Sequence, residues 1–371
     1  DNESFLLIPE DTKGTAAGAR QAARDALDGG ADIILGPLLS GNVRAVSELA
    51  RMRNVPVVAF SNDRQVAGNG VYLLSFPPEP EIDRVTTFAL SKGYARFGLL
   101  APISAYGDRV SDAFRDRIYW GGGELVHSER YVRSVQDMQA PARRLSEYAA
   151  PGFIPQYVRP RSEAGRASNN PFRTSEPTQR SGPSNYGANQ SPYRQSPAPS
   201  ELYDPSFDGF QAVLLPESGR MLRALAPLLP YNDVDVREIK LLGVSSWDNP
   251  SLVGEPALAG GWFAAPDPAV SQGFTQRYVK AYGRTPPRLA SLAYDATLVA
   301  ARLAEQKVPN PYSPALLTNP NGFYGADGLF RLTEDGMVER GLAVLEINRS
   351  GVKVIDPAPR SFAEQRRNRQ Y

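Results

Sequence analysis

Cysteine is absent from the 371 residues, and histidine occurs once. The first absence excludes disulfides, thiolate metal sites and a cysteine nucleophile. The second excludes a His/Cys metal cluster and leaves His127 as the sole base for a histidine-dependent triad. His127 lies in ELVHSERY, a strand-like run with no nucleophile motif beside it, whereas a triad histidine stands at a loop edge. No GxGxxG or GxxxxGK[ST] occurs, so no phosphate cradle is indicated. Asn232, Asp233 and Asp235 offer oxygens, but their loop lacks the rest of a calcium-binding pattern. No apolar run approaches the roughly 20 residues needed to cross a bilayer. Net charge is +1, so no global field attracts nucleic acid or an acidic membrane. The chain reads as a binding module with no enzyme chemistry, no cofactor and no metal.

Hydrophobic content is 42% and charged content 22%, ordinary for a globular chain that also carries a polar insert. The length leaves room for two domains. Residues 31–62 are the most informative stretch. ADIILGPLLSG leads into an amphipathic helix, NVRAVSELARMRN, and then into VPVVAFSND. Two uncharged apolar strands flank a crossover helix, so both are interior strands of a parallel sheet. Their turns, 36–41 and 60–63, then lie side by side at the carboxyl edge of that sheet, where open α/β sheets bind ligands. These turns carry hydroxyls, an amide and backbone N–H groups, but no catalytic group.

The same rhythm runs along most of the chain. FLLIPED reads as a strand, 15–27 as an Ala-rich helix closed by Gly29-Gly30, VYLLSF as a strand and 81–92 as a helix with one apolar face. RFGLLAP and ELVHSERY are strands, with helices at 108–120 and 138–148. FQAVLLPES, IKLLGVSSW and GGWFAAP follow as strands, with helices at 220–229, 270–283 and 288–306. The end changes character: GLFRLTEDG and ERGLAVLEINRSGVKVI are short strands with Gly turns, a hairpin or meander. Repeated βα units closed by an antiparallel piece make an α/β protein with mostly parallel sheets.

Two stretches break the pattern. Residues 151–206 are rich in Pro, Ser, Asn, Gln and Arg and poor in aliphatics, the composition of a solvated low-complexity insert. Residues 359–371 read as a polar, basic tail.

The order of elements resembles the type I periplasmic solute-binding proteins, the family of the leucine/isoleucine/valine-binding proteins. EDTKGTAAGARQAARDALDGGADIILGPLLSG, VPVVAFSND, FGLLAPISAYGDRVSDAFRDRIYWGGGELV and YGADGLFRLTEDGMVERGLAVLEI carry the likeness. Within that family, GADIILGPLLS, PVVAFSND and LAPISAYG are most similar to the penicillin-binding protein activator lipoproteins. The resemblance implies a two-lobed α/β fold, each lobe a doubly wound, mostly parallel sheet. Residues 1–75 and 268–325 form lobe one, and 76–267 and 326–358 lobe two. It also implies that the first strand and helix of lobe one are missing, and that a longer precursor carries a signal sequence and a lipidated cysteine, placing the protein in the periplasm on the outer membrane. The partner implied is a peptidoglycan synthase of the penicillin-binding protein class or, in the alternative, the permease of an ABC importer for amino acids. A small solute in the cleft belongs to the second reading.

The candidate site residues are Ser40, Gly41, Ser61, Asn62, Tyr106 and Trp247. Ser40 precedes a helix, so it either caps that helix or, as in amino-acid-binding relatives, helps the helix N-terminus hold a carboxylate. Ser61 and Asn62 either bind a ligand or cap the next turn. Tyr106 matches the aromatic that relatives close over a ligand. Trp247, with Asp248 beside it, stands where relatives often place an acid for a ligand ammonium; the lack of a clear acid there counts against an α-amino acid.

Overall fold

The structure is a computed structural model that describes residues 5–149 and 209–368. The expected insert at 151–206 lies outside the described residues.

Helix α1 (Ala16–Asp28) starts where the Thr15 hydroxyl accepts the Gly18 N–H, and it buries Ala19, Ala22, Ala23 and Leu27. Small side chains let it lie close against α2 (Ser40–Met52), which buries Val43, Val46 and Ala50. Beneath them, β1 (Ile34–Leu35), β2 (Val57–Ala59) and β3 (Val71–Leu73) pair in parallel in the order β1-β2-β3. Side chains alternate across this sheet as strand geometry requires. Val57, Ala59, Val71 and Leu73 face the α1/α2 layer, while Val58, Tyr72 and Leu74 face a second core.

The chain then crosses at 75–77 into α3 (Pro78–Ser91) and the second lobe. There β4 (Arg96–Pro102), α4 (Ala105–Trp120), β5 (Glu124–Tyr131), α5 (Gln139–Ser146), β6 (Ala212–Leu214), α6 (Gly219–Leu225), α7 (Leu228–Tyr231), β7 (Lys240–Gly243) and β8 (Trp262–Ala265) follow. Helix α8 (Pro268–Tyr282) follows, and α9 (Ala290–Ala304) and α10 (Pro314–Leu317) pack into the first lobe's second core. Next come β9 (Phe323–Gly325), β10 (Gly328–Leu332) and β11 (Val338–Arg340), then β12 (Ala343–Asn348), β13 (Gly351–Asp356) and α11 (Phe362–Asn368). The large sheet runs β13-β12-β8-β7-β6-β4-β5. It is parallel from β5 to β8, and β12 and β13 close it antiparallel. Its central strands β4, β6, β7 and β8 are buried on both faces, β4 from end to end, which explains their apolar sequences; the edge strands β5 and β13 are only half-buried.

Four sequence expectations need correcting. FLLIPED forms no strand: residues 5–10 pair with no strand among the described residues, and Leu6, Leu7 and Ile8 are exposed. The helix expected at 220–229 is two helices, because Pro227 cannot donate an N–H and starts α7 anew. The lobe boundary expected at 325/326 cuts the β9–β10 hairpin; Phe330, Leu332 and Val338 share a core with Val58, Tyr72 and α9, so β10 and β11 pack with the first lobe. The tail at 359–371 includes α11, whose Phe362 is buried and stacks under the Arg331 guanidinium, 4.4 Å from the ring centroid.

Candidate functional site

The carboxyl ends of the parallel strands of both lobes are where the candidate residues gather. After β1 the chain turns at Gly36, whose φ of +101° suits glycine. Pro37 O accepts the Phe60 N–H at 3.0 Å, so the two turns foreseen as neighbours are joined. Helix α2 opens between them. Its N-cap position falls to Leu39, and no side chain caps it. Ser40 is therefore the first helical residue and not the cap; Asn42 N–H bonds the Leu39 carbonyl at 2.9 Å, and the Ser40 and Gly41 N–H groups ahead of it stay open. Gly41 is exposed, and a Cβ there would meet nothing within 4 Å.

Ser61 is buried and its Oγ accepts the Asp63 N–H at 3.1 Å. The next turn is capped by Asp63, which accepts from Gln65 N and pairs with Arg44 Nη2 at 3.1 Å. Asn62 is exposed, and its carbonyl accepts from Arg109 Nη1 of α4 at 3.1 Å, a contact between the lobes. Arg109 also grips Glu79 of α3 with Nε and Nη2 at 2.9 and 2.8 Å. Arg64 of the first lobe approaches the same carboxylate at 3.5 Å.

On the second lobe, Ser104 caps α4 by accepting the Gly107 N–H. A Cβ at Gly107 would lie 1.9 Å from Pro102 O, so this turn requires glycine. That close approach sets Tyr106 at the mouth of the cleft, 39% exposed. Its phenol is nonetheless pushed above its ordinary range, first by desolvation in the recess and then by the Glu81 and Glu217 carboxylates. Behind it, the buried Glu217 accepts Tyr131 OH at 3.0 Å, Arg133 Nε and Nη2 at 3.0 and 2.7 Å, and Ser218 N at 2.9 Å. Glu81, also buried, accepts Ser245 N at 2.8 Å and Ser245 Oγ at 2.6 Å. Asp248 is held above the usual carboxylate range by desolvation, against the pull of Arg288.

Trp247 does not join this group. It is wholly buried in the second lobe's core, tilted against Phe263 at 6.3 Å. Gly243 and Gly261 make room for its ring, since a Cβ on either would lie 2.2 or 2.8 Å from it. The tryptophan lies in a tight 3-10 turn, Ser245–Trp247, that folds it back under β7. The sequence reading missed Glu79, Glu81, Arg109 and Glu217. Glu217 had a legible signal, because it ends an apolar strand and so stands at the carboxyl edge. Glu81 had none, since its helix shows an apolar face that absorbs it.

Taken together, the site holds hydroxyls and paired charges, with no nucleophile beside a base. Among the described residues no cluster of His, Cys, Asp or Glu suits a metal ion, and no helix is long and apolar enough to cross a membrane.

Comparison with known proteins adds a family, two relatives and two solved structures. The model of the periplasmic binding protein family matches residues 2–156. Penicillin-binding protein activator LpoA of Vibrio cholerae is 31% identical over 88 residues, covering 23% of this chain and 15% of that protein. The chain thus matches only a small part of that relative's length. An uncharacterized protein of Rickettsia prowazekii is 22% identical over 117 residues, 32% of this chain and 31% of its own. Among solved structures, a putative branched-chain amino acid ABC transporter protein from Rhodospirillum rubrum superposes with a TM-score of 0.69 at 15% identity, over 95% of this chain and 88% of that one. A leucine-binding protein from Thermotoga maritima gives 0.54 at 18% identity, over 94% and 86%. At such identities the likeness is one of fold.

Proposed function

We propose that this chain, which the periplasmic binding protein family model matches over residues 2–156 and which has the fold of the type I periplasmic binding proteins, is a non-catalytic periplasmic module regulating a peptidoglycan synthase of the penicillin-binding protein class through direct contact. The family and fold are those of binding proteins, and the likeness to a penicillin-binding protein activator supports the choice of partner. One observation carries the reading against a solute receptor. Outside the start of α2, the polar groups that could meet an α-amino acid are already engaged within the protein. Glu217 is saturated by Tyr131, Arg133 and Ser218 N, Ser61 by Asp63 N, and Glu81 by Ser245. A ligand that displaces such bonds leaves buried groups unpaired and gains little. Anchoring to the outer membrane by a lipidated precursor is part of the same proposal.

The second reading, the receptor of an amino-acid ABC importer, draws on the uncapped N-terminus of α2 beside Ser40. Titration calorimetry with a panel of amino acids separates the two. The regulator reading expects nothing tighter than about 1 mM, where binding is worth only about −4 kcal/mol, and expects retention of a purified penicillin-binding protein on the immobilised chain. A micromolar amino-acid affinity abolished by Ser40→Ala reverses the order.

A further inference from the structure

Glu81 occupies the first turn of α3, just after the chain leaves the first lobe at 75–77. Its carboxylate is buried and bound on its own lobe by Ser245. Across the hinge, two guanidinium groups share one aromatic ring: Arg288 Cζ lies 3.8 Å and Arg340 Cζ 4.6 Å from the Phe76 centroid. Arg340 ends β11, where the chain recrosses between the lobes. It is 4% exposed, and its Nε donates to Ser75 O at 3.0 Å, tying the last crossing to the first. Its Nη1 and Nη2 have no hydrogen-bond partner. Two acids of the first lobe lie near enough to feel Arg340, though neither hydrogen-bonds it. Asp327 accepts Ser291 Oγ at 2.6 Å and faces Arg288 at 3.5 Å, and Asp295 accepts Ala326 N at 2.6 Å.

A buried guanidinium with two free donors and a buried carboxylate on the opposite lobe make an arrangement under electrostatic tension, since each charge lacks a direct partner across the hinge. The groups that face Glu81 are Ser245 after β7, Arg288 ahead of α9, Arg340 on β11 and Tyr106 on α4. We propose that Glu81 is a proton-linked latch at the hinge: neutral, it stays buried with the lobes as they stand; ionised, it favours an arrangement in which the lobes part and water reaches it.

The direction follows from which effect wins. Burial pushes this carboxyl up to about 7, against the opposing pull of Ser245, Arg288 and Arg340. Opening rehydrates the group and returns it toward its ordinary value of 4.5. Proton uptake therefore favours the present arrangement, by up to about tenfold per pH unit between roughly 5 and 7. Asp295, also raised by burial, lies on the first lobe and feels the pull of the same Arg340, so its titration is separated from that of Glu81 by substitution.

The absence of native cysteine allows a direct test. Met52→Cys on α2 and Tyr119→Cys on α4, both exposed, carry spin labels on opposite lobes of the whole chain. The distance distribution is expected to lengthen as pH rises from 5 to 8. Glu81→Gln should hold the short population throughout, and Asp295→Asn, which removes the other raised acid near Arg340, should leave a pH-dependent lengthening in place. Should Glu81→Gln fail to fold, Ser245→Ala serves instead: it removes a donor to the ionised carboxylate and should move the midpoint to higher pH. A distribution that does not change with pH, or a response that survives Glu81→Gln or keeps its midpoint in Ser245→Ala, overturns the proposal.

Discussion

Arg109 donates to the Asn62 carbonyl at 3.1 Å, joining the second lobe's α4 to the loop after the first lobe's β2. The same guanidinium holds both oxygens of Glu79. One side chain thus spans the cleft and is itself fixed in orientation, as a bidentate pair fixes an arginine fork. Each lobe contributes to this clasp, because Arg64 approaches Glu79 from the other side.

Arg109→Ala should loosen the lobes without unfolding either. The pair is partly exposed, so its worth is modest, about 1 kcal/mol. Small-angle scattering should show a larger radius of gyration, with the helical circular dichroism unchanged. An unaltered radius would mean that the hinge crossings alone set the lobe angle.

Trp247→Ala should cost about 3–5 kcal/mol, the usual penalty for removing a buried aromatic. Gly243→Ala should also destabilise strongly, because the new methyl collides with the indole. Urea unfolding checks both. A mild effect of Trp247→Ala would argue that the residue serves the cleft after all.

The sequence exposed what depends on periodicity. Uninterrupted apolar runs at β4 and β8 revealed a parallel sheet, and Ala spacing revealed α1. What it hid depends on tertiary partners. Residues 5–10 look like a strand because Phe, Leu and Ile favour one, but a strand exists only with a neighbour to pair with. Trp247 read as a cleft candidate because it follows an apolar strand; that its ring tucks inward depends on the space left by Gly243 and Gly261, which no local pattern reveals. The clasp of Arg109 and Glu79 joins residues 30 apart on two helices, beyond any local pattern.

Stability should fall as pH rises from about 4 to 7. Burial raises Glu81 from 4.5 to about 7 and Asp295 from 3.8 to about 6. The native state then holds protons that the unfolded chain has already released, so the slope of unfolding free energy with pH is negative in that window. The contribution of these two groups is full below their unfolded values and gone above their folded ones. Urea midpoints of Asp295→Asn against the parent should differ in slope between about pH 4 and 6, and those of Glu81→Gln between about 4.5 and 7. Parallel curves would show that neither acid is held protonated.

The start of α2 separates the two functional readings most sharply. Gly41 lies in an exposed first turn where a Cβ meets nothing, so Gly41→Ala should stabilise, by up to about 1 kcal/mol, through helix propensity alone. In a solute receptor the same methyl would stand between a ligand carboxylate and the open N–H groups, and Ser40→Ala would remove a charge-assisted bond worth about 1.5–3 kcal/mol. Receptor variants would therefore show a raised melting temperature together with at least roughly tenfold weaker solute binding. In a regulator that meets its partner elsewhere, Gly41→Ala should raise the melting temperature and Ser40→Ala should leave it nearly unchanged. Neither should alter retention of the penicillin-binding protein. Loss of that retention in both variants would place the partner's contact at the cleft mouth and require a new account of what the lobes enclose.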